Sequence, residues 1–358
     1  MEVLTTRFGE SNKSMSEQTI KIDYDIEDTY FKFPQEAMAD IINALHTNDK
    51  VTVHFTEGVA LEELNYKEKK FLDICRQTCT KNNWPLDKIH FVLPNLTQDK
   101  DVWPSIEYGG AAILHNDSKE NIFLGLQNEK LDNNKHIQKT FGIFVNRSNW
   151  DRLLLSSHLY SNHAMATLQT YRKNLNSPAD MIELGLDQMF LMLSSSKRLN
   201  STIIKEVSHF LENLPFDQGV DWNMPDQQSC VDKSIMSWYN QIFIDVVCEK
   251  MITGQAFFPT EKTARPIASK TPFVVMAAPN YLKNLRKIGF KTFNKFWDES
   301  YDYQQGVQRI ESIKEIIDSL GKLSEAELNN LYHQMQPILQ HNYDLYMKLT
   351  GRDIVSKF

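Results

Sequence analysis

Three runs, Gln241-Ile-Phe-Ile-Asp-Val-Val-Cys248, Thr260-Glu-Lys-Thr-Ala-Arg-Pro-Ile-Ala-Ser269 and Pro272-Phe-Val-Val-Met276, settle the fold class of this 358-residue chain. The outer two are short and almost wholly apolar, as expected of strands covered on both faces of a parallel sheet. The middle run opens on Thr260, a residue type that caps helices, with acidic Glu261 in the first turn. Pro266 removes a backbone N–H, which predicts a short or kinked helix. Strand, helix, strand is a βαβ unit, and that unit implies a parallel α/β sheet.

The same order extends both ways. Downstream, Tyr281–Ile288 reads as a helix ended by Gly289. From Val307 the pattern is helical, with Ser324 and Glu327 spaced as a capping box and Pro337 set to kink or divide the last helix. Upstream, Phe141–Val145 reads as a strand with the exit loop Asn146–Asn149, then a helix through Arg152, Leu155, Leu159 and Ala166. Residues 177–214 read as mainly helical, with Ser177 or Asp180 as caps, and 215–232 as irregular. Nearer the start, a helix over Glu36–Leu45, a strand over Val51–Phe55, helical spacing over Leu61–Asn82 and a strand over Lys88–Leu93 repeat the alternation. Asn121–Leu126 adds one more short strand. The expected architecture is α/β, with two Rossmann-like domains facing a cleft. The expected divisions are a mobile N-terminus over 1–20, one domain over 21–140, and a second over 141–320 carrying the helical insertion 177–214. C-terminal helices over 321–358 are expected to pack back on the N-terminal domain. Ligands of such sheets sit beyond the carboxyl ends of the strands, which singles out the loops after Phe55, Leu93, Val145, Cys248 and Met276.

Composition narrows the class. A 41% hydrophobic content suffices for two cores, while 13 Gly and 12 Pro are too few for a collagen-like or low-complexity chain. No apolar run approaches the roughly 18 residues of a membrane helix. Met1–Ser16 lacks the apolar segment of a secretory leader. The four cysteines, at 75, 79, 230 and 248, include no zinc-finger spacing with histidine and read as reduced thiols, which points to a cytosolic compartment. A net charge of −7 argues against coating nucleic acid by bulk charge. Residues 251–300 reverse that sign, with eight basic and three acidic side chains for a local balance of +5. Such a run is either a solvated face or a place where phosphate lies.

The chemistry of 260–262 fits the second reading. A helix start offers backbone N–H groups and a positive dipole end, and Lys262 adds a full charge for a phosphate. Glu261 can accept two hydroxyl hydrogen bonds of the kind a ribose diol offers. The plain alternative is a pair of solvated first-turn residues. Arg265 stands one turn beyond Glu261, placed either to pair with it or to help hold a ligand. His158 and His163 lie on a helical stretch and read as packing or surface residues.

Taken together, Thr260-Glu-Lys-Thr-x-x-Pro-Ile-Ala268, the strand Pro272–Val275, Leu282-x-x-Leu-Arg-x-x-Gly-Phe-Lys-Thr-Phe293 and Asp298-Glu-Ser-Tyr301 resemble the donor-binding half of GT-B glycosyltransferases. The likeness is strongest to those common in bacteriophages and some bacteria, and the Thr-Glu-Lys part is similar to the donor motif of α-1,3-fucosyltransferases. Phe144-Val-Asn-Arg147, with Arg152 following, resembles that group's strand-loop entry. The likeness covers 257–302 and this shorter patch, while the N-terminal half matches only in its β/α pattern. It implies a donor domain over 141–320, an acceptor-side domain over 21–140, and a UDP- or GDP-linked sugar as donor. Glu261 would hold the ribose, Lys262 the diphosphate and Arg147 the departing phosphate, with Thr260, Arg152 and Arg265 in support. It implies no metal at the diphosphate and no other cofactor. The implied setting is a bacterial or phage-infected cytoplasm.

An inverting transfer needs a base from the N-terminal domain, and Glu57, just past the strand Val51–Phe55, is the candidate. His115, Glu107 and His90 stand behind it. Lys283, Arg286, Lys287, Lys291 and Lys295, interleaved with Phe290, Phe293 and Trp297, form a patch suited to an acceptor or to nucleic acid. The acceptor is then a glycan, a lipid-linked sugar or a hydroxymethylated DNA base. The alternatives are a nucleotide-sugar-binding protein without catalysis and a structural protein built on the helices of 177–214 and the C-terminus.

Overall fold

A computed structural model describes residues 3–4, 16–22, 35–55, 61, 63–66, 69–97, 102–108, 123–127, 135–146, 148–171, 182–214, 216 and 233–358. Two mainly parallel sheets organise the chain. The first contains β1 (Val3–Leu4), β2 (Glu17–Ile22), β3 (Lys50–Phe55), β6 (Ile89–Leu93) and β8 (Ile106–Tyr108), in the order β1-β2-β3-β6-β8. All its pairs are parallel except β1 with β2. Val3–Leu4 and Glu17–Ile20, placed by the sequence reading in a mobile terminus, are strands of this sheet. The helices α1 (Gln35–Thr47) and α2 (Phe71–Lys81) fall in the crossovers to β3 and to β6. Helical spacing over 61–82 overreaches: the small hairpin β4 (Asn65–Tyr66) and β5 (Lys69–Lys70) occupies its first half, and the helix begins at Phe71.

The second sheet has the order β10-β9-β11-β13, all parallel, from β9 (Lys139–Val145), β10 (Thr167–Tyr171), β11 (Ile242–Cys248) and β13 (Phe273–Met276). Every residue of β11 and β13 is buried, in keeping with runs that are apolar apart from Asp245. Strand order reverses between β9 and β11, which makes their carboxyl ends the topological switch point, where open α/β sheets place ligands. The helix α3 (Trp150–His163) is buried over its first ten residues, 150–159. Its cover comes from three helices, α4 (Ile182–Ser195), α5 (Ser201–Glu212) and α9 (Gly306–Leu320), which enclose polar as well as apolar side chains of α3. Between α5 and α9 come α6 (Lys233–Trp238), α7 (Glu261–Ala268) and α8 (Tyr281–Ile288). The caps expected at Ser177 or Asp180 lie outside the described residues, as does most of 215–232.

Two apolar cores match the two sheets. One gathers residues between Ile20 and Trp103; the other gathers buried apolar residues between Ile137 and Phe358 together with Leu96, Phe123, Leu124 and Leu126. The stretch around Phe123 is a turn over 123–127, not the strand its apolar run suggests: its side chains are buried as anchors of the second core. A two-stranded antiparallel ribbon, β7 (Leu96–Thr97) with β12 (Ala256–Phe257), ties the loop after β6 to the segment just before α7. The C-terminal helices α10 (Glu325–Tyr346) and α11 (Gly351–Val355) make their described contacts with the second core. Tyr332 Oη donates to the Lys270 carbonyl, Asn342 exchanges bonds with Lys291, and Tyr346 Oη donates to the Phe123 carbonyl. The capping box forms at Ser324 and Glu327. Pro337 does not divide α10, because it faces solvent, where water can satisfy the carbonyl it leaves unbonded. Among the described residues no helix is long and apolar enough to cross a membrane.

Candidate functional site

Strand β11 ends at Cys248, and the next residue, Glu249, is fully buried. A buried carboxylate requires several donors, and Glu249 finds them in the first turn of α7 and the start of α8. Its Oε1 accepts from the Thr260 backbone N–H at 3.1 Å, Thr263 Oγ1 at 2.7 Å and Tyr281 Oη at 3.1 Å, and its Oε2 accepts from Thr260 Oγ1 at 2.6 Å. Thr260 in turn caps α7, its Oγ1 accepting the Lys262 N–H at 3.3 Å. The helix start is therefore fastened to the strand end by a carboxylate that sequence reading passed over.

On that base Glu261 and Lys262 stand side by side. Lys262 Nζ donates to Glu261 Oε1 at 2.7 Å and lies 3.4 Å from Thr260 Oγ1. Both side chains are half-buried, 18% and 26% exposed, so each can meet a ligand without being wholly hydrated. Burial pushes the Glu261 carboxyl up, but the Lys262 and Arg265 charges outweigh it and hold the group at about 2. Glu261 is thus an anion across the physiological range. Arg265 acts on it through space, without an ion-pair contact, and also faces Asp245 beneath the helix. There Asp245, buried and pushed up to about 7, accepts from Tyr239 Oη at 2.7 Å, while Lys135, pushed down to about 7 by burial, donates to the Tyr239 carbonyl and to Thr271.

Arg152 is placed at the switch point itself. Its backbone N–H is capped by Asn149 Oδ1 at 3.0 Å, and its guanidinium Nη2 reaches the carbonyls of Glu249 at 3.2 Å and Cys248 at 3.4 Å. It is buried, so it joins α3 to the end of β11 and sits behind the Glu249 anchor. Its neighbour Asp151 is buried as well, and burial pushes that carboxyl up to about 6 against the pull of Arg152 and the N–H groups of the helix start. Arg147 and Glu57 lie outside the described residues, and so does His115. His90 and Glu107 face one another across β6 and β8, His90 Nε2 3.2 Å from Glu107 Oε2 and Nδ1 2.8 Å from Ser105 Oγ.

The basic patch divides in two. Lys283, Lys287, Lys291 and Lys295 are exposed. Arg286 is engaged within the domain, with Nη1 3.0 Å from Glu299 Oε2 and 2.8 Å from Thr292 Oγ1. Of the three aromatic residues expected between the lysines, Phe290 and Phe293 are not presented: both are buried, and Phe293 packs edge-on to Phe273 at 5.5 Å, while Trp297 is half-buried with its ring 5.2 Å from that of Phe293. The 289–302 part of the quoted pattern has a local structural purpose. Glu299 accepts from Thr292 and from the Phe293 N–H, and Tyr301 Oη meets the Val275 N–H. Asp302, fully buried, accepts from the Leu282 and Lys283 N–H groups at the start of α8, whose N-cap residue, Asn280, provides no side-chain cap.

No family model matches this chain, and no curated protein matches it. Among solved structures, the chain is similar to a protein described as "Crystal Structure of alpha1,3-Fucosyltransferase", with a TM-score of 0.30 and 12% identity over 99% of this chain and 91% of that one.

Proposed function

We propose that this chain is a glycosyltransferase that moves a sugar from a nucleoside-diphosphate donor, UDP- or GDP-linked, to a hydroxyl of a glycan. The observation that carries the reading is the ionised Glu261 beside Lys262 at a capped helix start, anchored by Glu249 at the switch point. A ribose diol has two O–H donors for one carboxylate, and a diphosphate has anionic oxygens for an ammonium and a helix N-terminus. Lys262 then exchanges part of its bond to Glu261 for the phosphate, and Glu261 turns its freed lone pairs to the ribose.

In the transfer, the acceptor oxygen bonds to the anomeric carbon as the bond from that carbon to the diphosphate oxygen breaks. The electron pair leaves with the diphosphate, where Lys262, Arg147 and the helix end supply the stabilising positive charge. Glu57, two residues past β3, takes the acceptor proton. The burial of Phe290 and Phe293 favours a glycan over DNA as acceptor.

Calorimetric titration of UDP and GDP tests the assignment. Lys262→Ala is expected to weaken the better ligand by about 10–100-fold, the worth of one charged hydrogen bond. Unchanged affinity would reject the phosphate role. Release or transfer of the sugar from the matching donor separates an enzyme from a nucleotide-sugar-binding protein, and Glu57→Gln is expected to abolish transfer while leaving nucleotide affinity unchanged.

A further inference from the structure

At the other end of the second sheet, three side chains that the proposed transfer does not use converge on one point. His158 is buried on α3, His163 is the last residue of that helix, and Asp318 comes from the last turn of α9. Nε2 of each imidazole lies 2.8 Å from the same Asp318 Oδ1, and the three ligand atoms lie within 4.8 Å of one another. Two side chains five residues apart on a regular helix point about 140° away from each other. They meet here because His163 leaves helical geometry, with φ −137° and ψ 24°. The space for its ring is provided by Gly321, where a Cβ would stand 2.5 Å from His163 Cε1 and 2.6 Å from Nδ1. The ring of His163 also lies 5.4 Å from that of Phe141, near the start of β9, whereas Glu249 and Glu261 follow the carboxyl end of β11.

We infer that His158 Nε2, His163 Nε2 and Asp318 Oδ1 bind one divalent transition-metal ion of the zinc class, with a fourth position left to water. Two neutral imidazoles and one carboxylate suit zinc, cobalt or ferrous iron, and they are a poor set for magnesium or calcium, which take oxygen ligands. Bonds of ~2.0–2.1 Å in a tetrahedron separate ligand atoms by about 3.3 Å, so the 2.8 Å contacts open by about half an ångström while the two Nε2 atoms, within 4.8 Å of one another, settle to the same spacing. Behind the second ring nitrogen, His158 Nδ1, stand Asn162 Nδ2 at 3.2 Å and Glu206 Oε1 at 3.8 Å, the two bonded to each other at 2.9 Å, so a small shift gives an Nδ1–H the Glu206 carboxylate as its acceptor. Carboxylates in that position orient a ligating imidazole. The ion joins the end of α3 to the end of α9, away from the donor site, and keeps one coordination position open to solvent.

The test uses the full chain, stripped with a chelator and titrated with Co2+ followed by competing Zn2+. One equivalent of Co2+ is expected, with the visible d–d band of a four-coordinate ion and a rise in melting temperature. His163→Gln and Asp318→Asn, each at a half-buried position, are each expected to weaken Co2+ binding by about tenfold or more, and Glu206→Gln by about tenfold. Three results overturn the assignment: no stoichiometric Co2+ uptake by the wild-type chain, uptake unchanged in whichever of His163→Gln and Asp318→Asn folds, or a thiolate-to-cobalt charge-transfer band that puts the ion on a cysteine.

Discussion

Glu249 and Glu261 are both carboxylates near the end of one strand, and their surroundings give them different tasks. Glu249 is enclosed by hydroxyls and anchors the helix start; Glu261 is half-buried beside an ammonium and, under the proposed function, meets the ligand. Glu261 was legible because its neighbours in the chain, Thr260 and Lys262, are also its neighbours in space. Glu249 was not, because its partners lie 11, 14 and 32 residues away and nothing local marks a residue after a strand as buried. Glu261 and Asp151 also predict opposite responses to pH. The fold holds Glu261 at about 2 against an ordinary 4.5, so its stabilising contribution is present above pH 4.5 and is lost as pH falls toward 2. Asp151 is pushed up to about 6 against 3.8, so its contribution is full below pH 3.8 and is lost as pH rises through 6. In urea unfolding across this range, Glu261→Gln is expected to lose its deficit relative to wild type on acidification below 4.5. Asp151→Asn is expected to gain on wild type as pH rises from 3.8 to 6 and to level off above it. A flat difference for either variant contradicts the assigned environment.

The two helices flanking β13 begin by different devices. Thr260 caps α7 from within its own sequence, whereas α8 is preceded by Asn280 in a left-handed conformation, φ 63°, and borrows its cap from Asp302, 20 residues downstream of Leu282. The first device can be read from the chain; the second needs the fold. The same contrast explains the overreach at 61–82, where apolar spacing continues through Leu64 although the chain there turns back as a hairpin. Asp302 also lies 3.5 Å from the guanidinium of Arg309, with both side chains fully buried. Asp302→Ala would leave that charge without its counterion and the α8 N–H groups without an acceptor, and a loss of about 3–5 kcal/mol is expected. Urea unfolding followed by tryptophan fluorescence measures it. A loss below about 1 kcal/mol, the range of an exposed pair, would mean that the interaction is dispensable.

Across the whole chain, the parallel order of both sheets was legible from alternating strand and helix patterns, while the link between the two halves was not. Leu96 follows a strand of the first sheet yet belongs to the second core, and the β7–β12 ribbon joins it to the segment that leads into Thr260. Ribbons of two residues leave no periodic trace. Under the proposed function, saturation with UDP or GDP is expected to slow amide exchange at 260–263 and also at Leu96 and Thr97. Protection confined to β2 and β3 would place the nucleotide elsewhere. The Glu249 anchor has one more consequence, which concerns tolerance to change. Because the start of α7 takes its position from the end of β11, the intervening turn at 253–255, with Gly254 at φ 69°, does not have to carry it. Under the proposed function, insertions or exchanges at that turn are therefore expected to leave the grip on the nucleotide in register, an opening for natural drift and for deliberate redesign alike.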